Sequence, residues 1–398
     1  MVDRVILIVL DSVGIGEAPD AKDYGDIGSD TLGHLYARIP GFRLPNFERI
    51  GLHALLQVKP DLSGSLERIE STGAYGRLQE ISNGKDTMTG HWELLGIHMT
   101  TPLDTYPQGF PVDWIVALEK HTGRGVIGNC VASGTAILDE LGPEQMRTGK
   151  WIVYTSADSV FQIAAHEEMI PLDELYEACR FMREYTLATP QSVGRIIARP
   201  YKGVAGAFER TSNRHDYAMV PPKRTALNEL KDAGLDVLAV GKINDIFSGQ
   251  GITATWSSKD NADGMRLTLE RVRESFRGLL FTNLVDFDAK YGHRRDAQGY
   301  ARALTQFDEW LPSLQAEMTE RDLLIITADH GNDPYHPGTD HTREYVPLLV
   351  WNKQLIGSID LGVRGTFADI AATISDVFGL KKPDIGDSFY RIIVEQIN

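Results

Sequence analysis

Cysteine is scarce in this chain of 398 residues. Cys130 and Cys179 lie far apart and form no CxxC pair, so neither a disulfide framework nor a thiolate metal cluster is expected. Both read as reduced thiols, and Cys179 shares a helical face with Leu172, Leu175 and Met182. Long apolar runs are missing near the start: Val5 to Leu10 ends in Asp11, too short for a signal segment or a membrane span. A cytoplasmic location, with no membrane partner, is the expectation. Basic surplus is lacking too. The net charge of -15, with no Lys/Arg stripe against it, argues against a nucleic-acid partner. There is no internal repeat or low-complexity tract. What remains is ordinary for a globular enzyme, 42% apolar and 24% charged, and long enough for two domains.

What the chain does have is a series of buried-looking strands that stop abruptly at carboxylates. VILIVL, residues 5–10, is the continuous aliphatic run of a strand covered on both faces, and it ends in Asp11-Ser12. Leu279 to Val285 runs into Asp286, Asp288 and His293; Leu323 to Thr327 runs into Asp329-His330, with His341 following after a bend rich in Gly and Pro. Helical patterns alternate with these runs: Leu32 to Ile39, Thr225 to Ala233, Met265 to Arg277, Asp296 to Met318 and Thr366 to Phe378. The alternation predicts an α/β fold with a doubly wound sheet. Between about 102 and 218 the texture changes to a mixed segment with helices and strands of its own. We read it as a smaller α/β cap domain inserted into a core of 1–101 and 219–398.

Ligands in an open α/β sheet bind beyond the carboxyl ends of its strands. An Asp at one strand end is easily a helix cap, but three strands ending this way favour one shared site. Asp and His are the oxygen and nitrogen donors that divalent metals accept. By reach along the chain, Asp11, Asp329 and His330 form one metal site, and Asp288, His293 and His341 a second, with Asp286 competing for the place of Asp288. Two such cations would attract a phosphate dianion and could clamp an in-line phosphoryl transfer. SNGKDTMTGHWELLG, residues 82–96, places Thr87 in a loop entering a helix that begins near Gly90 or His91, so Thr87 is the candidate nucleophile. Lys85, His91 and Trp92 could line the site or simply pack. In the cap, Arg195, Arg199, Arg210 and Arg214 fall near loops, and arginine's planar fork suits phosphate.

The motifs LDSVGIGEAPDA, GKDTMTGHWE, YTSADSVFQIAAHEE, NRHDYA, NLVDFDAKYGHRRD and ITADHGNDPYHPGTDHTREYVPLL, spread over the whole chain, resemble those of the bacterial phosphopentomutases within the alkaline phosphatase superfamily. The resemblance implies an alkaline-phosphatase-like core and two Mn2+ ions, held by the two sets named above. It implies exchange of α-ribose 1-phosphate and ribose 5-phosphate, and of the 2-deoxy pair, through a phosphothreonine at Thr87. It further implies Ser156, Asp158, Arg195, Arg210 and Lys242 as sugar-phosphate contacts, and a sugar bisphosphate as intermediate and primer. The expected partners are small-molecule pentose phosphates, and the expected state is a monomer. Another mutase or phosphatase of the superfamily, such as a relative of cofactor-independent phosphoglycerate mutase, shares the core chemistry. A non-catalytic sensor would be expected to have lost Thr87 or a ligand, and all are present.

Overall fold

Arg4–Leu10 is a strand buried along its whole length, as an aliphatic run at the centre of a parallel sheet must be. The computed structural model describes residues 2–56, 71–134, 136–156 and 158–396. Two compact units are present: Met1–Pro102 together with Pro221–Asn398, and Leu103–Val220. Strands β1 (Arg4–Leu10) and β2 (Gly73–Leu78) precede the inserted unit. The insert contributes β3 (Val126–Val131), β4 (Trp151–Thr155), β5 (Val160–His166), β6 (Arg195–Val204), β7 (Ala207–Arg210) and β8 (His215–Ala218). After it come β9 (Asp236–Val240), β10 (Ala254–Trp256), β11 (Gly278–Leu284), β12 (Asp322–Thr327), β13 (Val346–Trp351) and β14 (Ser358–Arg364).

The first unit is built on an 8-stranded sheet in the order β10-β9-β11-β1-β12-β13-β2-β14. β1 lies parallel to β11 on one side and to β12 on the other. All three are buried throughout, which accounts for their reading as apolar runs rather than as alternating patterns. The sheet is mixed rather than wholly parallel: β13 runs antiparallel to both β12 and β2. The segment from Ala328 to Tyr345 returns the chain without a crossover helix, and a parallel neighbour needs such a crossover. The helix Ala297–Glu317 begins where the Asp296 side chain accepts the Gly299 amide.

The inserted unit has a 6-stranded sheet, β3-β4-β5-β6-β7, with β8 also paired to β6. On one face Trp151, Val153, Phe161, Ile163, Ile196 and Ala198 pack with residues of the helices Val112–Thr122 and Leu172–Leu187, Cys179 among them. Both cysteines are free, Cys179 buried and Cys130 exposed. On the other face Ile152, Tyr154, Ala164 and Tyr201 meet Ile137 and Leu138 of the helix Ala136–Thr148. The start and end of the insert are pinned side by side: Asp104 and Ser192 exchange hydrogen bonds, and the Met219 amide donates to the Gly194 carbonyl at 2.8 Å. No helix among the described residues is long and apolar enough to cross a membrane.

Candidate active site

β11, β1 and β12 stop together, with Leu10 beside Leu284 and Val9 beside Thr327. Asp11, the segment from Asp286 to Asp288, and Asp329 therefore leave the sheet at one edge. The histidine His330 follows directly on Asp329, and its Nε2 lies 3.5 Å from Asp11 Oδ1 and 3.5 Å from Asp329 Oδ2. A second group adjoins it. His293 Nε2 is 3.1 Å from Asp288 Oδ2, and His341 Nε2 is 3.4 Å from Asp288 Oδ1 and 3.2 Å from His293 Nε2. The rings of His330 and His341 stack at 3.9 Å, so the two groups are continuous. Donor atoms of Asp11, Asp329 and His330, and of Asp288, His330 and His341, come within 4.8 Å of one another. Asp286 is turned elsewhere: it accepts the Asn261 amide and pairs with Lys290.

The donor set fits divalent cations. Asp11 Oδ1 and Asp329 Oδ2 are buried and, among the described residues, accept no hydrogen bond. Such acceptors cost free energy unless a cation or a donor meets them. Their other oxygens are fixed, Asp11 Oδ2 by the Asn283 amide at 3.0 Å and Asp329 Oδ1 by the Ser12 N–H at 3.0 Å. The Asn332 amide likewise donates to Asp288 Oδ1 at 2.7 Å. Each histidine places Nδ1 on a backbone carbonyl: His293 on Thr339, His341 on Lys85 and His330 on Gly331, at 2.7, 2.8 and 3.0 Å. A ring that donates from Nδ1 keeps its lone pair on Nε2, the atom facing the aspartates.

Electrostatics follow from the crowding. Burial works against an imidazolium at His330, yet Asp329 and Asp11 hold its pKa well above the usual value. Burial would raise Asp288, but His341 and His293 pull its carboxyl well below the ordinary range. Asp329 is lowered in the same way by His330 and His91. Without a cation, the His330 imidazolium offsets part of the carboxylate charge.

Thr87 meets this cluster from another element. Its Oγ1 lies 3.3 Å from His330 Nε2. The helix starts at Thr87, not near Gly90 as the sequence suggests, because Asp86 caps it by accepting the Met88 and Thr89 amides at 3.0 and 3.1 Å. Gly90 allows the helix to reach the strand end: a Cβ there would stand 2.0 Å from the Asp329 carbonyl oxygen. The buried His91 donates from Nδ1 to the Thr87 carbonyl at 2.8 Å, which leaves its 3.0 Å approach to Asp329 Oδ2 poorly aimed. Trp92 packs and donates to the Ile246 carbonyl.

Several supporting residues escape a sequence reading. Asn283, Asn332 and the pair Ser12–Tyr300 hold the candidate ligands or their neighbours. Ser12 takes a left-handed φ of 75°, which turns its N–H to Asp329. Arg343, fully buried, donates to Asp20, Glu80 and the Gly84 carbonyl and so joins the loop of His341 to the loop before Thr87. Its only sequence signal was a charge inside the run GTDHTRE.

Of the remaining predicted residues, Lys242 belongs to the same unit, just beyond the carboxyl end of β9. Ser156, Asp158, Arg195 and Arg210 belong to the insert. Arg195 lies 3.7 Å from both Asp158 and Asp216, and Arg214 makes two bonds of 2.6 Å to Asp216. The pairings of β6 with β7 and β8 put Arg195, Arg199, Arg210 and Asp216 on one sheet face. Burial lowers the Arg199 guanidinium to about 10, helped by Arg214 and Arg210. This face carries more positive than negative charge and suits an anion.

The family model of the metalloenzyme superfamily matches residues 3–382. Among solved structures, the chain is similar to the PH0037 protein from Pyrococcus horikoshii, at 14% identity over 95% of this chain and 98% of that one, with a TM-score of 0.48. Leishmania mexicana phosphoglycerate mutase is 12% identical over 98% and 97%, with a TM-score of 0.45. A protein in the alkaline phosphatase superfamily from Vibrio parahaemolyticus is 11% identical over 97% and 69%, with a TM-score of 0.44. A model that matches almost the whole chain, above a strand edge that gathers three aspartates and three histidines, settles the assignment: the chain belongs to the metalloenzyme superfamily.

Proposed function

We propose that this metal-dependent enzyme is a phosphopentomutase, interconverting α-ribose 1-phosphate and ribose 5-phosphate and the corresponding deoxyribose pair. The observation that carries the reading is Thr87 Oγ1 at 3.3 Å from His330 Nε2, a hydroxyl aimed into a double carboxylate–imidazole cluster. The pentose specificity is supported by the sequence motifs, which run through the insert as well as the core.

Two divalent cations, manganese by resemblance, held by Asp11, Asp329 and His330 and by Asp288, His293 and His341, would supply charge for the transferring phosphoryl group and acidify a neighbouring hydroxyl. Asp86 fixes the first helical turn and with it the Thr87 side chain. Phosphorylated Thr87 donates its phosphoryl group to the free 5-hydroxyl of ribose 1-phosphate, the P–O bond to Thr87 breaking as the new one forms. Ribose 1,5-bisphosphate results. Thr87 Oγ then takes the phosphoryl group from the 1-position and releases ribose 5-phosphate. A sugar bisphosphate primes a chain whose Thr87 is unmodified. Ser156, Asp158, Arg195, Arg210 and Lys242 are the proposed sugar-phosphate contacts, the arginines as planar forks on phosphate oxygens.

A phosphorus NMR time course tests this, with manganese-loaded protein, ribose 1-phosphate and a trace of sugar bisphosphate. Conversion to ribose 5-phosphate with little free phosphate is expected. Accumulating inorganic phosphate would replace the mutase reading with a phosphatase one. Thr87→Ala should abolish turnover and leave metal content intact.

A further inference from the structure

Arg295 follows His293 closely in the chain and is turned back towards it by a left-handed backbone, with φ at 53°. Its half-buried guanidinium donates four hydrogen bonds, every one to a carbonyl oxygen. Nε donates to Gly338 at 2.6 Å, Nη2 to Asp340 at 2.9 Å, and Nη1 both to Gly292 at 3.1 Å and to the Asn332 side chain. Among the described residues no carboxylate forms an ion pair with it.

Each acceptor supports a ligand of the second set. Asn332 passes its bond on, donating to Asp288 Oδ1 at 2.7 Å. A guanidinium only donates and an ionised carboxylate only accepts, so a single orientation of the Asn332 amide serves both. Gly292 immediately precedes His293 and closes the short helical turn Phe287–Gly292 that carries Asp288. Gly338 and Asp340 flank Thr339, whose carbonyl meets His293 Nδ1 at 2.7 Å. Asp340 also precedes His341, and its Oδ1 accepts the His341 amide at 2.8 Å. The first set is held otherwise, by Asn283, Ser12 and Gly331. It also needs less bracing: the His293 side chain is 30% exposed, that of His330 only 1%.

We propose that Arg295 is the positioning residue of the second set, its planar fork aligning Asp288, His293 and His341 together while leaving Asp11, Asp329 and His330 alone. The inference rests on the two-cation assignment made above and not on the identity of the sugar. The sign of the effect separates alignment from charge. A guanidinium repels a metal cation, so removing it tightens the second site if charge decides and loosens it if alignment decides.

Mn2+ binding to the metal-stripped full chain, by equilibrium dialysis with elemental analysis, tests the proposal. Asp288→Asn leaves only the first set and Asp11→Asn only the second, so each site is read alone. If either variant kept both cations, the two-set assignment itself would fall, and this inference with it. Arg295→Gly suits the left-handed backbone and should fold. It should weaken Mn2+ binding about 10–100-fold in the Asp11→Asn chain and leave it unchanged in the Asp288→Asn chain. Asn332→Ala, which removes only the link to Asp288, should act on the same site to a lesser degree. Arg295→Lys keeps the charge without the fork and should weaken it likewise. Ethylguanidinium, too dilute to denature, should restore the second cation to Arg295→Gly, a recovery that a general folding defect would not show. Unchanged or tighter binding in Asp11→Asn with Arg295→Gly, equal loss at both sites, or wild-type binding by Arg295→Lys would overturn the proposal.

Discussion

Replacing Gly90 by alanine sets two effects against each other. Alanine is the better helix former, by about 0.8–1.0 kcal/mol in an exposed helix interior. Here the added methyl would lie 2.0 Å from the Asp329 carbonyl oxygen and 2.8 Å from its carbon. An ordinary C···O contact is about 3.3 Å, so roughly 1.3 Å must come from the helix or from the strand end. Neither is slack. β12 is buried throughout, and the Asp329 side chain is held by Ser12. The helix is fixed by Asp86 at its start and by Glu93, whose carboxylate accepts the Ile81, Ser82 and Phe367 amides. Overpacking costs about 1–3 kcal/mol and outweighs the propensity gain, so Gly90→Ala should be less stable by about 1–2 kcal/mol. If Thr87 is the nucleophile, as proposed, the larger effect is on chemistry, because a shift of about 1 Å between Thr87 and His330 lowers turnover on the order of a hundredfold. Chemical denaturation reads the first quantity; steady-state turnover with phosphothreonine mass spectrometry reads the second. Wild-type turnover at equal or greater stability would show that the helix and strand end are not in the contact described.

Asp11→Asn should lose the cation shared with Asp329 and His330, while Asn283→Ala, which removes only the bond to Asp11 Oδ2, should weaken it about 10–100-fold; elemental analysis after dialysis separates the two, and full loading of Asp11→Asn would exclude that ligand. The metal-free protein should respond to pH in both directions. The raised pKa of His330 gives stability that is complete below about pH 6.5 and lost as pH rises through the raised value; the depressed pKa of Asp288 gives stability present above about pH 3.9 and lost as pH falls through the lowered one. Cation uptake must displace the His330 proton, so affinity should rise with pH and calorimetry in buffers of different ionisation enthalpy should count a released proton, whose absence would remove His330 from the ligands. Arg343→Met leaves Glu80 and Asp20 without their shared cation and should cost about 3–5 kcal/mol; Glu80→Gln in the same chain should recover part of it, and strict additivity in denaturant melts would mean that the pair is not coupled.

The strands that carry the candidate ligands were legible because parallel strands buried on both faces leave an unbroken apolar signature, and a carboxylate directly after it is conspicuous. That logic reached Asp11, Asp288 and Asp329 and stopped at their partners. Asn283 looks like a polar lapse within β11 until β1 is known to lie beside it, and Asn332 acquires its role only from the fold of the loop after β12. The start of the Thr87 helix was misplaced because either Asp86 or a threonine could cap it, and tertiary packing decides which. The direction of β13 was equally hidden, since an apolar run reads the same in both directions.

The pinned ends of the insert bear on how the chain reaches its fold. β2 and β9 are strands of one sheet separated in sequence by the entire second unit, and joining distant segments is slow when the intervening chain is open. The cost of closing a flexible loop grows by about 0.6 kcal/mol for every doubling of its length. Once the insert has folded, the bonds of Asp104 to Ser192 and of Met219 to Gly194 hold its two ends at one place, and the remaining chain faces only a short gap. The insert, with an apolar core on each face of its own sheet, is thus suited to fold first and serve as a knot around which the split sheet is completed.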